Sequence, residues 1–240
     1  MTRQTILILD FGSQYTQLIA RRVRENKVFS KIIPYNTPAK EIAGMQPKGL
    51  ILSGGPASVI AKKSPYPDKG IFKLGIPILG ICYGMQVIAE MLGGRVKHTT
   101  EREYGKVELF VDDNRGLLSH IPGNFTCWAS HGDYVTKLPL GFSIYAPTLN
   151  TPIAGMGNKK RKIFAVQFHP EVTHTERGNQ ILGNFLFKIC GCVGRWTIES
   201  FIKESQEFIK KTVGRDKVVM GISGGVDSSV AALLIHKVIH

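Results

Sequence analysis

Cys82 stands midway between two glycines in Gly80-Ile81-Cys82-Tyr83-Gly84, and the chain changes character across it. The apolar run Ile76 to Ile81 fits a buried strand and Met85 to Leu92 (MQVIAEML) fits a helix, so only a few residues join the two. Glycine on both sides is the spacing of a nucleophile elbow. A turn this tight leaves its neighbours room for little beyond hydrogen and pushes the central side chain outward. A thiol at the amino end of a helix meets unpaired N–H groups and the helix dipole, which favour the thiolate and can hold an oxyanion. A cysteine after an apolar run is also an ordinary core residue, so the reading turns on what else the chain supplies.

A partner stands in Gln167-Phe168-His169-Pro170-Glu171, at the end of the apolar run Ile163 to Phe168. Residues two apart in an extended segment share a face, so Glu171 can fix the tautomer of His169 and stabilise its cation. Pro170 disfavours a helix start there and stiffens the pair. A cysteine on an elbow and a carboxylate-oriented histidine in one chain point to covalent acyl transfer by Cys82, His169 and Glu171.

The elements that must position them read as alternating strands and helices. Thr5 to Leu9, Val28 to Ile33, Gly49 to Leu52 and Ile76 to Ile81 are predicted strands, with a helix over Tyr15 to Glu25 and a helical fragment over Ala39 to Ala43. Such alternation predicts an α/β fold whose parallel sheet is covered on both faces, with ligands beyond the carboxyl ends of the strands. Ser53-Gly54-Gly55-Pro56 and Cys82 both fall at such ends. Gly55 can supply one oxyanion donor and the N–H of Tyr83 another, although a plain turn also explains the glycine pair. From Arg95 onward short alternating runs predict mixed or antiparallel strands added to the sheet edge, with Ser130-His131-Gly132-Asp133 as a Gly-Asp turn leading into one of them.

After Cys190 the texture changes again. Thr197 to Val213 is an amphipathic helix, Lys217 to Ile222 a predicted strand, and Ser223-Gly224-Gly225-Val226-Asp227-Ser228-Ser229 a glycine-rich loop before a helix over Val230 to Ile239. By geometry that loop is a phosphate cradle, and without a Gly-Lys-Ser/Thr ending it is not a Walker loop.

Composition sets the bounds. The chain has 240 residues, 43% hydrophobic and 20% charged, which are ordinary globular values. No apolar run is long enough to cross a bilayer, and the amino terminus lacks a signal-peptide pattern, so a cytoplasmic protein is expected. The net charge of +13 raises a nucleic-acid reading, but the basic residues are dispersed and the cluster Lys159-Lys160-Arg161-Lys162, without interleaved aromatics, fits a solvated hairpin tip. Cys82, Cys127, Cys190 and Cys192 lack zinc spacing and form no disulfide framework.

GICYGMQ (Gly80 to Gln86) with QFHPEV (Gln167 to Val172) resembles the class I glutamine amidotransferases, a similarity running over nearly all of residues 5 to 190. Ile8 to Glu25, Ile51 to Val59 and Ser130 to Asp133 carry it further; the commoner family form has Met where this chain has Ala129. The resemblance implies a flavodoxin-like three-layer fold with a mostly parallel central sheet. It also implies the triad Cys82, His169 and Glu171, oxyanion donors Gly55 and Tyr83, and glutamine-binding residues Gln86, Ser130, His131, Gly132 and Asp133. Only the resemblance makes Ser130 to Asp133 a site.

SGGVDSS resembles the PP-loop of the ATP pyrophosphatases, which implies that Ser223 to Ser229 grip the pyrophosphate of ATP and that Asp227 helps hold Mg2+. An amidotransferase followed by a PP-loop implies an enzyme that uses ATP and Mg2+ to adenylate XMP and ammonia from L-glutamine to give GMP, as a homodimer. Glutamine hydrolysis itself would need no cofactor. The expected organisation is an amidotransferase domain over 1–190, a linker with an amphipathic helix over 191–216, and the first, truncated strand-loop-helix of the ATP pyrophosphatase domain over 217–240. These residues are accordingly expected to hydrolyse glutamine weakly and not to complete the nucleotide amination. Two rivals remain: the amidotransferase subunit of another pathway, and a nucleotide- or RNA-binding protein on an inert scaffold.

Overall fold

The computed structural model describes residues 4–239, and residues 100–102 by backbone alone. Two compact units are present, one ending at Gly194 and one beginning at Arg195.

In the first unit, β1 (Thr5–Asp10), β2 (Phe29–Pro34), β3 (Gly49–Leu52), β4 (Ile78–Ile81), β7 (Ser143–Ala146), β8 (Gly155–Asn158) and β9 (Ile163–Val166) form one 7-stranded sheet in the order β2-β1-β3-β4-β9-β8-β7. The pairings from β2 through β9 are parallel, and β8 and β7 add antiparallel edges. The central strands are continuous apolar runs because both faces are buried. Ile6, Ile8, Ile51 and Ile81 pack with Ile19 and Val23 of α1 (Thr16–Glu25) and Ile181 of α4 (Gly178–Gly183). Leu7, Leu9, Leu50 and Leu52, alternating with them, pack with Ile42 of α2 (Ala39–Gly44) and Val87 and Ile88 of α3 (Tyr83–Met91). The result is the expected three-layer α/β arrangement.

The segment after Arg95 differs from expectation. β5 (Arg95–Phe110) and β6 (Asn124–Lys137) pair antiparallel as a separate 2-stranded sheet, and only β7 to β9 extend the main one. Two strands of 16 and 14 residues satisfy each other's backbone groups along most of their length, so neither needs the main sheet's edge. Ser130 to Asp133 lies inside β6 and makes no turn. β8 was not foreseen, because GMGN carries little strand propensity. The cluster Lys159 to Lys162 forms the exposed connection between β8 and β9.

The second unit holds α5 (Ile198–Val213), started by a capping box between Thr197 and Ser200, and α6 (Val226–Ile239). Helix α6 begins at Val226 and takes in the second half of the glycine-rich loop that was expected to precede it. Residues 217–222 form no strand, since no partner strand stands among the described residues of this unit. Among the described residues no helix is long and apolar enough to cross a membrane.

The glycine pair beside Cys82 shows what the turn demands. A Cβ on Gly80 would come within 2.7 Å of the Gly84 carbonyl, and one on Gly84 would run into the carbonyl oxygen of Leu52. Gly44, at the end of α2, has open space around it. Gly84→Ala is therefore expected to cost about 1–3 kcal/mol in urea denaturation, and Gly44→Ala to be neutral or stabilising by up to about 1 kcal/mol. Equal midpoints for the two variants would contradict this account of the turn.

Candidate active site

Cys82 caps α3 with φ 51° and ψ −105°, a left-handed conformation that few non-glycine residues adopt. The bend is held from three sides: Cys82 N–H donates to Val166 O (2.8 Å), Gly84 N–H to Ser53 O (3.1 Å) and Gln86 N–H to Cys82 O (3.2 Å). The sulfur lies 3.7 Å from Ser130 O and receives a contact from Gln167 Nε2 at 3.7 Å.

His169 follows β9. Its N–H donates to Trp128 O of β6 (2.9 Å), and its carbonyl accepts from Thr175 Oγ1 (2.6 Å). The ring is hydrogen-bonded on Nδ1 to Glu171 Oε1 (2.8 Å) and lines one hollow together with Cys82. Tyr15 packs edge-on against it, ring centroids 5.1 Å apart. Burial alone would push the imidazole down, but the Cys82 sulfur and the Glu171 carboxylate outweigh it and hold His169 well above the ordinary histidine range. Glu171 is fully buried, so its charge reaches the ring with little screening by water. This arrangement can deliver a proton to a group leaving from carbon attached to the sulfur.

Cys82 separates two hollows. The larger, about 340 Å³, is lined by Gly55, Tyr83, Gln86, all four of Ser130 to Asp133, and His98 and Tyr104 among others. The smaller, about 240 Å³, shares Gly55, Pro56, Cys82 and Ser130 with it and adds Ser13, Gln14, Tyr15 and His169. Gly55 and Tyr83 line the larger hollow together with Cys82.

The residues expected to bind glutamine all reach the larger hollow, with their side chains engaged in different ways. Gln86 donates its amide to Asp133 O (2.9 Å). Asp133 receives Ser58 Oγ (2.5 Å) and His98 Nδ1 (2.8 Å) on its two oxygens. His131 turns its ring into a buried cluster: Nε2 lies 3.2 Å from Glu103 Oε2, and the Glu103 carboxylate also accepts from Thr148 (2.7 Å) and Thr151 (2.9 Å). Burial pushes the Glu103 carboxyl up, but His131 and the two threonines prevail and hold it below its ordinary value. Ser58, His98, Glu103, Tyr104, Thr148 and Thr151 escaped the sequence reading. The pairing of His98 with Asp133 and of Glu103 with His131 depends on the β5–β6 register, which shifts between the two pairs, and no local pattern announces such a shift.

In the second unit Ser223 Oγ and Ser228 Oγ lie 3.1 Å apart, and Ser228 and Ser229 hydroxyls donate to Gly225 O at 3.0 and 2.9 Å. Gly224 has φ +81°, Val226 opens α6, and Asp227 lies in its first turn. Hydroxyls and backbone donors at a helix start, with one carboxylate, suit a phosphate and its cation in chemical type. All but half-buried Ser228 are exposed, and among the described residues the unit adds no wall that would enclose a nucleotide.

A profile of the class-I glutamine amidotransferase family matches residues 7–189, and one of NAD synthase matches residues 198–240. The chain belongs to the class-I glutamine amidotransferase family. It is 53% identical over 239 residues to the GMP synthase [glutamine-hydrolyzing] of Acetivibrio thermocellus, an alignment that covers 100% of this chain and 47% of that protein. The chain thus spans about half the length of the curated relatives it matches. Among solved structures, a putative GMP synthase subunit from Thermoplasma acidophilum aligns with TM-score 0.69 and 32% identity, over 86% of this chain and 99% of that one. A glutamine amidotransferase from Thermotoga maritima, 18% identical with TM-score 0.57 over 99% of this chain and 91% of that one, shares the fold. The similarity to GMP synthases continues through the glycine-rich loop.

Because its folded value lies below 4.5, Glu103 binds protons more weakly folded than unfolded. Its contribution to stability is complete above pH 4.5 and fades as pH falls through the depressed value. Urea midpoints measured from pH 6 down to the acid limit should fall less steeply for Glu103→Gln than for the unaltered chain; parallel slopes would show that the carboxylate carries no such linkage.

Proposed function

We propose that the first unit is the glutaminase of a GMP synthase: it hydrolyses L-glutamine to glutamate and ammonia, and the ammonia aminates adenylated XMP to GMP. The observation that carries this is the His169 ring, held by buried Glu171 and lining one hollow together with Cys82. In the proposed reaction the Cys82 thiolate, its proton resting on His169, attacks the side-chain carboxamide carbon. The oxyanion takes the N–H groups of Gly55 and Tyr83. The C–N bond then breaks, ammonia leaves with the His169 proton, and a thioester remains. Water adds to that thioester with His169 taking its proton, and glutamate departs as the sulfur is released. Gln86, Ser130, His131, Gly132 and Asp133 form the wall against the α-amino and α-carboxylate end.

The domain limits 1–190, 191–216 and 217–240 go with this proposal, as does a cytoplasmic setting. ATP, when bound with Mg2+, would activate the nucleotide, with Ser223 to Ser229 holding its pyrophosphate and Asp227 its cation. Glutamine hydrolysis draws on none of those groups.

The purified chain should release glutamate from glutamine, and Cys82→Ala should release none. Glu171→Gln, which keeps the shape but removes the charge, should lower kcat by roughly 10²–10⁴-fold. Undiminished glutamate release by Cys82→Ala would end the proposal.

A further inference from the structure

Beside the Cys82 sulfur stands a side chain that the chemistry proposed above leaves idle. Gln167 is 1% exposed and brings its Nε2 to 3.7 Å from the sulfur. Its other end, Oε1, is buried without a partner among the described residues. A carbonyl oxygen stripped of water and given nothing in return weakens a fold, and methionine would fill the same space without that loss. The nitrogen end is then the reason for an amide here. Gln167 and His169 occupy alternate positions after β9, with Phe168 between them packed on Phe125 (ring centroids 6.1 Å apart). The alternation that carries the imidazole to Glu171 thus also carries the amide to the sulfur.

Two polar groups at the sulfur differ in kind. Ser130 O, also 3.7 Å away, can only accept, which suits a sulfur that carries hydrogen. Gln167 Nε2 can only donate, which suits a sulfur that carries none and is gathering negative charge. In the proposed reaction that moment comes last. The oxygen of water has bonded to the acyl carbon and its proton rests on His169; the oxyanion collapses to a carboxyl group, the C–S bond breaks, and its electron pair stays on sulfur. We propose that Gln167 is a catalytic residue for this thioester breakdown, its side-chain N–H stabilising the departing sulfur. This rests on the glutaminase reading and gives Gln167 a task that Gly55 and Tyr83, proposed to hold the oxygen, do not perform.

The test separates the two products of one turnover. Rapid-quench traces at saturating L-glutamine follow ammonia, which leaves as the thioester forms, and glutamate, which leaves as it breaks, in the unaltered chain and in Gln167→Met. Methionine keeps the length and volume but has no N–H. Glutamate release should slow roughly 10- to 100-fold, the effect of losing a hydrogen bond to a charged group, while the first ammonia leaves within about threefold of its unaltered rate. Steady-state kcat and KM should then fall together with kcat/KM nearly constant, and the glutamyl thioester on Cys82 should accumulate in acid-quenched mass spectra. The urea midpoint of Gln167→Met should stand at or above that of the unaltered chain, because the unpartnered oxygen is gone. A clearly lower midpoint would make the amide a structural group and overturn the proposal. So would ammonia and glutamate slowing by the same factor, which marks a disturbed site in place of a lost donor. If the unaltered chain releases both products and Gln167→Met keeps both rates, the role of Gln167 is lost while the glutaminase stands. If the unaltered chain releases neither, the glutaminase reading fails and this step falls with it.

Discussion

The bend at Cys82 exists because the amino end of α3 is pressed against the end of β3. Gly84 sits so close to the Leu52 carbonyl that no side chain fits, and its N–H donates to Ser53 O. The same contact brings the turn after β3 beside the sulfur, so Gly55 reaches the hollow without any device of its own. A left-handed cysteine costs about 1–3 kcal/mol. The burial of Val87, Ile88 and Ala89 against the sheet offsets this easily, at roughly 1.5–3 kcal/mol for each large aliphatic side chain. The strain is thus sustained by an ordinary core, at whose edge the nearly buried Cys82 borders both hollows.

Strand β6 is the second organiser. Its Trp128 carbonyl holds the His169 backbone, its Ser130 carbonyl lies beside the Cys82 sulfur, and its Asp133 carbonyl receives Gln86. One strand therefore registers three parts of the site against one another. It is itself fixed by cross-strand pairs with β5, of which His131 with Glu103 is nearly sealed from water. Three imidazole–carboxylate pairs surround the sulfur and differ in exposure. The His169–Glu171 pair is buried, which suits proton transfer, and His131–Glu103 is buried and tied by two threonines, which suits holding a strand. His98–Asp133 is half open to the hollow.

The central sheet and the triad were legible because their signals are local. Apolar runs on strands buried on both faces, glycines two residues either side of a cysteine, and a histidine two residues from a glutamate can each be read within a few positions. The antiparallel strands after Arg95 were legible only in part: their full length and their separation from the main sheet were not, since Arg95 to Phe110 carries Lys97, His98, Glu103 and Lys106, whose value as strand residues arises only from the partners across the ladder. Residues 217–222 mark the opposite error: an apolar, β-branched run reads as a strand, yet a strand requires a neighbour, which the sequence of the run does not supply.

The two hollows that meet at Cys82 solve a problem the proposed chemistry poses. A thioester must stay anchored by its amino-acid end while ammonia leaves and water arrives at the same carbon. Were the proton-transferring ring among the residues that grip the substrate, the bound glutamyl group would block the water's approach. His169 instead lines the smaller hollow with Ser13, Gln14 and Tyr15, and Gln86 and Asp133, proposed to grip the substrate, line the larger one. Gly55, Cys82 and Ser130 border both, so the sulfur and one of the two proposed oxyanion donors stand on the partition between them. In the proposed reaction holding and hydrolysing are thereby separated in space around one atom, which a cysteine on a tight turn between two hollows makes possible.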